Sequence, residues 1–324
     1  WRVRSSCGAT ARFSDRHLVT GMQRTGTSVI HACIGGHPEV ASFPHEVGFV
    51  PFFAEGASHF TYGTILQQDE RAHILHGVFD ALATVDGGGD VTTIGIKSLM
   101  LKEGDARELA RLLSRFFPDI KVIRLRRNDL TARFGSLAKA RLTNIWHRSG
   151  DSVQKALGAK ARDVAAVQSV ERAGADSANP TITLDRYAFL DDILTTHVIE
   201  QGLDVLTESH DVLTVDYESD VRDQDMRELS TVKPIWDFLD LESVRPDWID
   251  MRKLSLPPSQ YIANYAALRS LEHQVWNDLE EGASPADIRN EYGPPVLLRY
   301  YKSGRWHAAR PGATLRKLRR FLSL

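Results

Sequence analysis

Cysteine is scarce: the 324 residues hold two, Cys7 and Cys33. That rules out a disulfide framework, and no CxxC pair is present for zinc binding or thiol exchange. Cys33 lies in an apolar helical stretch and reads as a small core residue. The chain, which opens on Trp1, shows no secretory-type leader and no uninterrupted apolar run long enough to span a bilayer. The expectation from these absences is a reducing, cytoplasmic setting. An excess of either charge is also lacking: 40 Lys and Arg face 42 Asp and Glu, a formal net charge of −2. Wholesale binding to nucleic acid is therefore not expected, and any anion site must be built locally from placed arginines and backbone amides. The twelve histidines form no HExxH or paired Cys/His pattern, so no metal is expected.

What is present is a globular composition, 42% hydrophobic and 25% charged, enough for one large α/β domain with insertions or for two small ones, and it is read as a single domain over residues 1–324. Short apolar runs at His17–Thr20, Val40–Phe43, Thr93–Ile96, Ile120–Leu125 and Val212–Val215 predict strands. Pro44 is expected to stop the second of them. Helical periodicity over 26–35, 104–117 and 129–148, and again from Val215 towards Trp236 and Leu239, alternates with these strands. Strand–helix alternation predicts a central, mostly parallel sheet flanked by helices in three layers. Residues 150–180, rich in Ala, Asp, Ser and Gly, read as a helical or mobile excursion and a candidate lid. The basic tail around Leu315–Leu322 reads as a solvated helix ahead of a membrane-docking one, so peripheral membrane contact is left open without support. There is no internal repeat, and homo-oligomerisation is left open.

The sharpest motif is Gly21-Met-Gln-Arg-Thr-Gly-Thr-Ser28, between a strand and a helix. Gly26 allows the backbone to curl so that successive N–H groups face one anion at a helix N-terminus. Thr27 and Ser28 add hydroxyls, and Arg24 adds a cation. The spacing is that of GxxxxGK[ST], except that Thr27 stands where a nucleoside-triphosphate loop has its lysine. Kinase or ATPase chemistry uses that lysine on the β- and γ-phosphates, so its absence argues against both.

A second candidate anion segment is Val122-Ile-Arg-Leu-Arg-Arg-Asn-Asp-Leu-Thr-Ala-Arg-Phe-Gly-Ser136, a strand running into a helix with arginines at the junction. A guanidinium suits a phosphate dianion, which it can bind through two parallel bonds. Further on come Thr143-Asn-Ile-Trp146-His147. Ser136 and His147 return to nearly one helix face but about 16 Å apart along the axis, so they cannot share one phosphate.

In these two segments the chain resembles the sulfotransferases that use 3′-phosphoadenosine-5′-phosphosulfate. Their 5′-phosphosulfate loop is similar to Gln23-Arg-Thr-Gly-Thr-Ser28, with Gln23 in place of the usual proline. Their 3′-phosphate segment is similar to 122–136, and the continuation to Trp146-His147 is most similar to the bacterial carbohydrate branch of trehalose and nodulation-factor type. The resemblance implies a P-loop-like fold, 3′-phosphoadenosine-5′-phosphosulfate as co-substrate, and a hydroxyl acceptor that is a carbohydrate, glycolipid or small molecule. It assigns Arg24, Thr25, Gly26, Thr27, Ser28, Arg127 and Ser136 to nucleotide binding, with Arg127 preferred to Arg126 on spacing. It implies Glu46, in Phe43-Pro-His-Glu46, as the base, with His45 as the alternative, and Lys97 after Ile94-Gly-Ile96 as a charge stabiliser beside Arg24. Phe49 to Tyr62 and 150–180 are expected to shape the acceptor pocket. The rival readings are a P-loop kinase and a nucleotide-binding module without turnover.

One pattern stands apart from the resemblance. Arg24, Glu46, Lys97, Arg127 and Asp216-Tyr217-Glu218 each follow an apolar run that reads as a strand. In a parallel sheet such positions gather at the carboxyl edge, where ligands bind.

Overall fold

A computed structural model describes residues 15–48, 60–61, 68–85, 91–101, 104–143, 167–171, 181–249 and 256–293. Its centre is a six-stranded sheet whose strands pair in parallel. In chain order the strands are β1 (Asp15–Met22), β2 (Val40–Gly48), β3 (Phe60–Thr61), β4 (Thr93–Met100), β5 (Lys121–Arg126) and, after an intervening hairpin, β8 (Val212–Asp216). Their spatial order is β3-β2-β4-β1-β5-β8. β1 lies between β4 and β5, so the chain leaves β1 towards one edge and later crosses it towards the other. That reversal opens a crevice beyond the carboxyl end of β1, the usual ligand position in open α/β sheets.

Both faces of the sheet are covered, as parallel pairing requires. On one face lie α1 (Thr27–Gly35) and α6 (Leu229–Leu239), packed on Val19, Ile123, Leu125 and Val215. The other face is covered by α2 (Gln68–Val85), α3 (Asp105–Phe116) and α5 (Arg186–Ser209), which bury Leu18, Ile94, Ile96, Met100 and Val122. The alternation of side chains along each strand sends neighbouring residues to these two separate cores. A third apolar cluster joins α4 (Leu130–Thr143) and the first half of α5 to α7 (Pro258–Tyr261), α8 (Tyr265–Glu280) and α9 (Pro285–Glu291).

Two expectations need correction. Pro44 does not end the second strand: β2 runs on to Gly48. The register with β4 shifts there, Ser42 facing Gly95 and Glu46 facing Lys97, so β2 advances four positions (42 to 46) while β4 advances two (95 to 97). A proline is tolerated where the ladder is interrupted, because its missing N–H is not needed there. β4 likewise extends past Ile96 to Met100, so Glu46 and Lys97 lie inside strands, not after them. Within 150–180, the described residues Val167–Glu171 form β6, an antiparallel partner of β7 (Thr181–Leu184).

Candidate functional site

The loop after β1 has the curl its glycines suggest. Gly26, at the N-terminus of α1, has φ 93°, and Arg24 has φ 66°. Arg24 is thus held in the left-handed region, which costs a non-glycine residue roughly 1–2 kcal/mol. Such local strain marks a backbone held for a purpose by its surroundings. Thr25 is buried, and its hydroxyl donates to the Met22 carbonyl at 2.7 Å, closing the turn. Gly21 is also confined: a Cβ there would meet the Leu125 carbonyl oxygen of β5 at 2.6 Å. Among the described residues no side chain caps α1, and the first amides of a helix have no intrahelical acceptor.

Around this loop the fold assembles residues that are distant in sequence. Arg24 Nε donates to Ser136 Oγ on α4 at 3.0 Å. Arg127, just past β5, donates through Nη1 to the Arg24 carbonyl at 2.9 Å. Lys97, buried in β4, donates to Ser28 Oγ at 3.2 Å. Glu46 is the β2 residue in register with Lys97. Arg24, Ser28, Lys97, Arg127 and Ser136 are therefore brought together, while Thr27 is buried beneath the loop. His45 adjoins Glu46 in β2. Trp146, His147, the stretch 49–59 and residues 150–166 and 172–180 lie outside the described residues.

Arg126 and Arg127 part company at the end of β5. Arg124 and Arg126, two residues apart, turn to α5: Arg124 binds Glu200 at 2.5 Å and Asp204 at 2.6 Å, and Arg126 lies 3.6 Å from Glu200. Arg127 turns to the loop, its guanidinium 4.4 Å from the centre of the Tyr217 ring and its Nε 3.7 Å from Glu218. That buried Nε has no hydrogen-bond partner among the described residues.

The electrostatics are those of a cation cluster drawn largely out of water. Burial, and then the Arg127 charge, hold the Arg24 guanidinium below its ordinary pKa. Burial does the same to Arg127, against the pull of Tyr217, Glu218 and Asp129. The Tyr261 phenol is pushed up to about 12 by burial although both arginines act to lower it, so it stays neutral. Two largely buried guanidinium groups that repel one another are stabilised by negative charge placed beside them.

The sequence placed Tyr217 and Glu218 near the site without their contacts, and it missed other contributors. Tyr217 and Glu218 open a π-helical turn, Tyr217–Val221, directly after β8. The Tyr217 ring closes over Gly26, where a Cβ would approach it to 3.0 Å. Glu218 accepts the amides of Asn128 and Asp129 at 3.0 and 3.2 Å. Glu272 of α8 accepts the Leu130 and Thr131 amides at 3.1 and 2.9 Å, and Asp129 accepts that of Ala132 at 2.8 Å. The N-terminus of α4 is thus filled by the protein's own carboxylates. An anion beside Ser136 would depend on guanidinium and hydroxyl groups, not on the dipole of α4. The run Val-Asp-Tyr-Glu218 was legible as a strand end, but nothing local signalled Tyr261 or Glu272.

No protein-family model matches the chain, and no curated protein matches it either. Among solved structures it is similar to a sulfotransferase from Alicyclobacillus acidocaldarius, at 16% identity over 80% of this chain and 96% of that one, with a TM-score of 0.40. A likeness of that degree carries no argument about chemistry. Among the described residues, no group of three or more His, Cys, Asp or Glu is placed to hold a metal, and no helix is long and apolar enough to cross a membrane.

Proposed function

We propose that the chain is a sulfotransferase, moving a sulfuryl group from 3′-phosphoadenosine-5′-phosphosulfate to a hydroxyl of a carbohydrate, glycolipid or small-molecule acceptor. The observation that supports this reading is the convergence of Arg24, Lys97 and Arg127 with the Ser28 and Ser136 hydroxyls around the loop that follows β1. The residues present fit a donor with two separated anionic groups: one cluster is the 25–28 loop with Lys97, the other is Arg127 with Ser136. Arg24 bridges them through its carbonyl and its Nε. A triphosphate loop would place a lysine at position 27, where Thr27 stands.

The donor, when bound, supplies an activated sulfur–oxygen bond whose cleavage leaves charge on a phosphate oxygen. In this reading the loop amides and Ser28 hold the phosphosulfate end, and Arg127 with Ser136 holds the 3′-phosphate. Lys97 and Arg24 neutralise the charge that grows on the departing oxygen, and their burial makes that interaction stronger than it would be in water. Glu46 takes the proton of the attacking hydroxyl, with His45 as the alternative base. Register with Lys97 supports Glu46, because it sets base and charge stabiliser on adjacent strands at one level.

Calorimetry with 3′-phosphoadenosine-5′-phosphate against ATP tests the donor: the bisphosphate binds tighter, and tighter ATP binding would overturn the reading. A labelled sulfate donor offered to sugars, glycolipids and simple alcohols identifies the acceptor. Glu46→Ala retains nucleotide binding and abolishes transfer. An unchanged rate would remove Glu46 from this role, and a wild type that binds but never transfers would indicate a nucleotide-binding module.

A further inference from the structure

His31 lies on α1 one turn beyond Ser28, on the buried side of the helix. Its Nε2 is 2.7 Å from the Phe43 carbonyl oxygen of β2. A carbonyl can only accept, so the imidazole carries a proton on Nε2 and donates it. Ser42 Oγ lies 3.2 Å from the same nitrogen. Burial lowers the ring's pKa to about 4, the Phe43 bond opposing and Lys97 adding to the fall. The ring is therefore neutral at physiological pH and acts as a hydrogen-bond donor, not as a charge.

The place where this bond lands matters. Phe43 begins the stretch in which β2 leaves its register with β4, between the Ser42–Gly95 and Glu46–Lys97 pairs. Pro44 follows and has no N–H to give to a ladder. The strand thus loses regular pairing just before Glu46, and His31 supplies a tie to it from the helix face. The other end of α1 is the anion loop, where Ser28 accepts from Lys97. A closed circuit results: anion loop, α1, His31, Phe43, Glu46 in register with Lys97, and back through Ser28.

We propose that His31 is a positioning residue, tying the anion-loop helix to the irregular stretch of β2 so that Glu46 is set at the level of Lys97. It acts through the Phe43 carbonyl and need not touch a reactant. The catalytic consequence rests on the sulfotransferase reading; the tie itself does not.

The test compares His31→Leu, which removes the donor, with His31→Gln, whose side-chain amide can reach a similar point, both in the full chain. A misplacement of about 1 Å can cost about 100-fold in rate. His31→Leu is expected to lower kcat by about 10- to 100-fold. The donor KM and the affinity for 3′-phosphoadenosine-5′-phosphate, measured by calorimetry, move by less than about threefold. Backbone amides in 43–48 exchange faster with deuterium, and His31→Gln restores most of both properties. Unchanged kcat and exchange in His31→Leu would overturn the proposal, as would a loss of nucleotide affinity as large as the loss of kcat. Should His31→Leu not fold, His31→Asn, which is too short to reach Phe43, replaces it against His31→Gln, and equal rates and exchange in the two would overturn it. If the wild type transfers no sulfate, the functional reading fails on its own, and the exchange of 43–48 still decides the tie.

Discussion

Arg24 and Ser136, 112 positions apart, are joined by a 3.0 Å hydrogen bond from guanidinium Nε to hydroxyl. The bond fuses two anion segments, the loop after β1 and the stretch from β5 into the middle of α4, into one site. Arg24 is also the residue held at φ 66°, and its carbonyl receives Arg127, so its backbone and its side chain both serve the junction. Arg24→Ala is expected to weaken binding of 3′-phosphoadenosine-5′-phosphate about 10- to 100-fold, the usual worth of a charged hydrogen bond or two. Ser136→Ala should cost about 3- to 10-fold. Because the two side chains act together, calorimetry on the double variant should show less than the summed loss.

Gly26→Ala should damage both stability and binding. The residue sits at φ 93°, and a Cβ would press on the Tyr217 ring at 3.0 Å. That ring cannot retreat freely, because the Arg127 guanidinium lies 4.4 Å from its centre. A loss of about 1–2 kcal/mol is expected from the backbone alone, read as a lowered midpoint in urea. Nucleotide affinity should fall alongside it.

The frame behind the second anion segment is a ladder of charge around two buried arginines. Asp192, Thr196, Glu200 and Asp204 recur every four residues along α5, presenting one stripe to α4 and β5. Arg133, buried on α4, binds Asp192 and Thr196, while Arg124 binds Glu200 and Asp204. Asp192→Ala leaves the Arg133 charge buried without its counterion and should cost about 3 kcal/mol or more. Pairing Arg133→Met with Asp192→Leu should recover most of that in denaturant melts, since an apolar pair needs no compensation.

Acid should destabilise the protein through two buried imidazoles. Burial lowers His17 to about 3 and His31 to about 4. The unfolded chain binds protons at these histidines below about pH 6.5, and the folded chain refuses them until well below that. Stability is therefore level above about pH 6.5 and falls as pH drops from there towards 4 and 3. His31 alone contributes about 3 kcal/mol across its window. The His17 ring lies against Gly95 with neither nitrogen hydrogen-bonded among the described residues, so His17→Leu should flatten the thermal midpoint against pH between 6.5 and 4.

Much of the scaffold was legible because its signals are local. The run at 17–20, the glycine-bearing loop and the apolar spacing of 26–35 predicted β1, the turn and α1, and the structure has them at Asp15–Met22 and Thr27–Gly35. β5, α3 and β8 were legible in the same way. Pro44 misled, since a proline's effect depends on whether its missing N–H is required. Only the register of β2 against β4 shows that it is not.

By itself, then, the sequence determined a parallel α/β chain with an anion loop lacking the triphosphate lysine, since backbone conformation and hydrophobic period act over a few residues. Tertiary structure decided the rest of the site. It turned Arg126 to α5 and Arg127 to the loop, filled the N-terminus of α4 with Glu218, Asp129 and Glu272, and set Glu46 level with Lys97. Those outcomes depend on strand register and on which helix covers which face, properties of elements tens to hundreds of residues apart that no local spacing encodes.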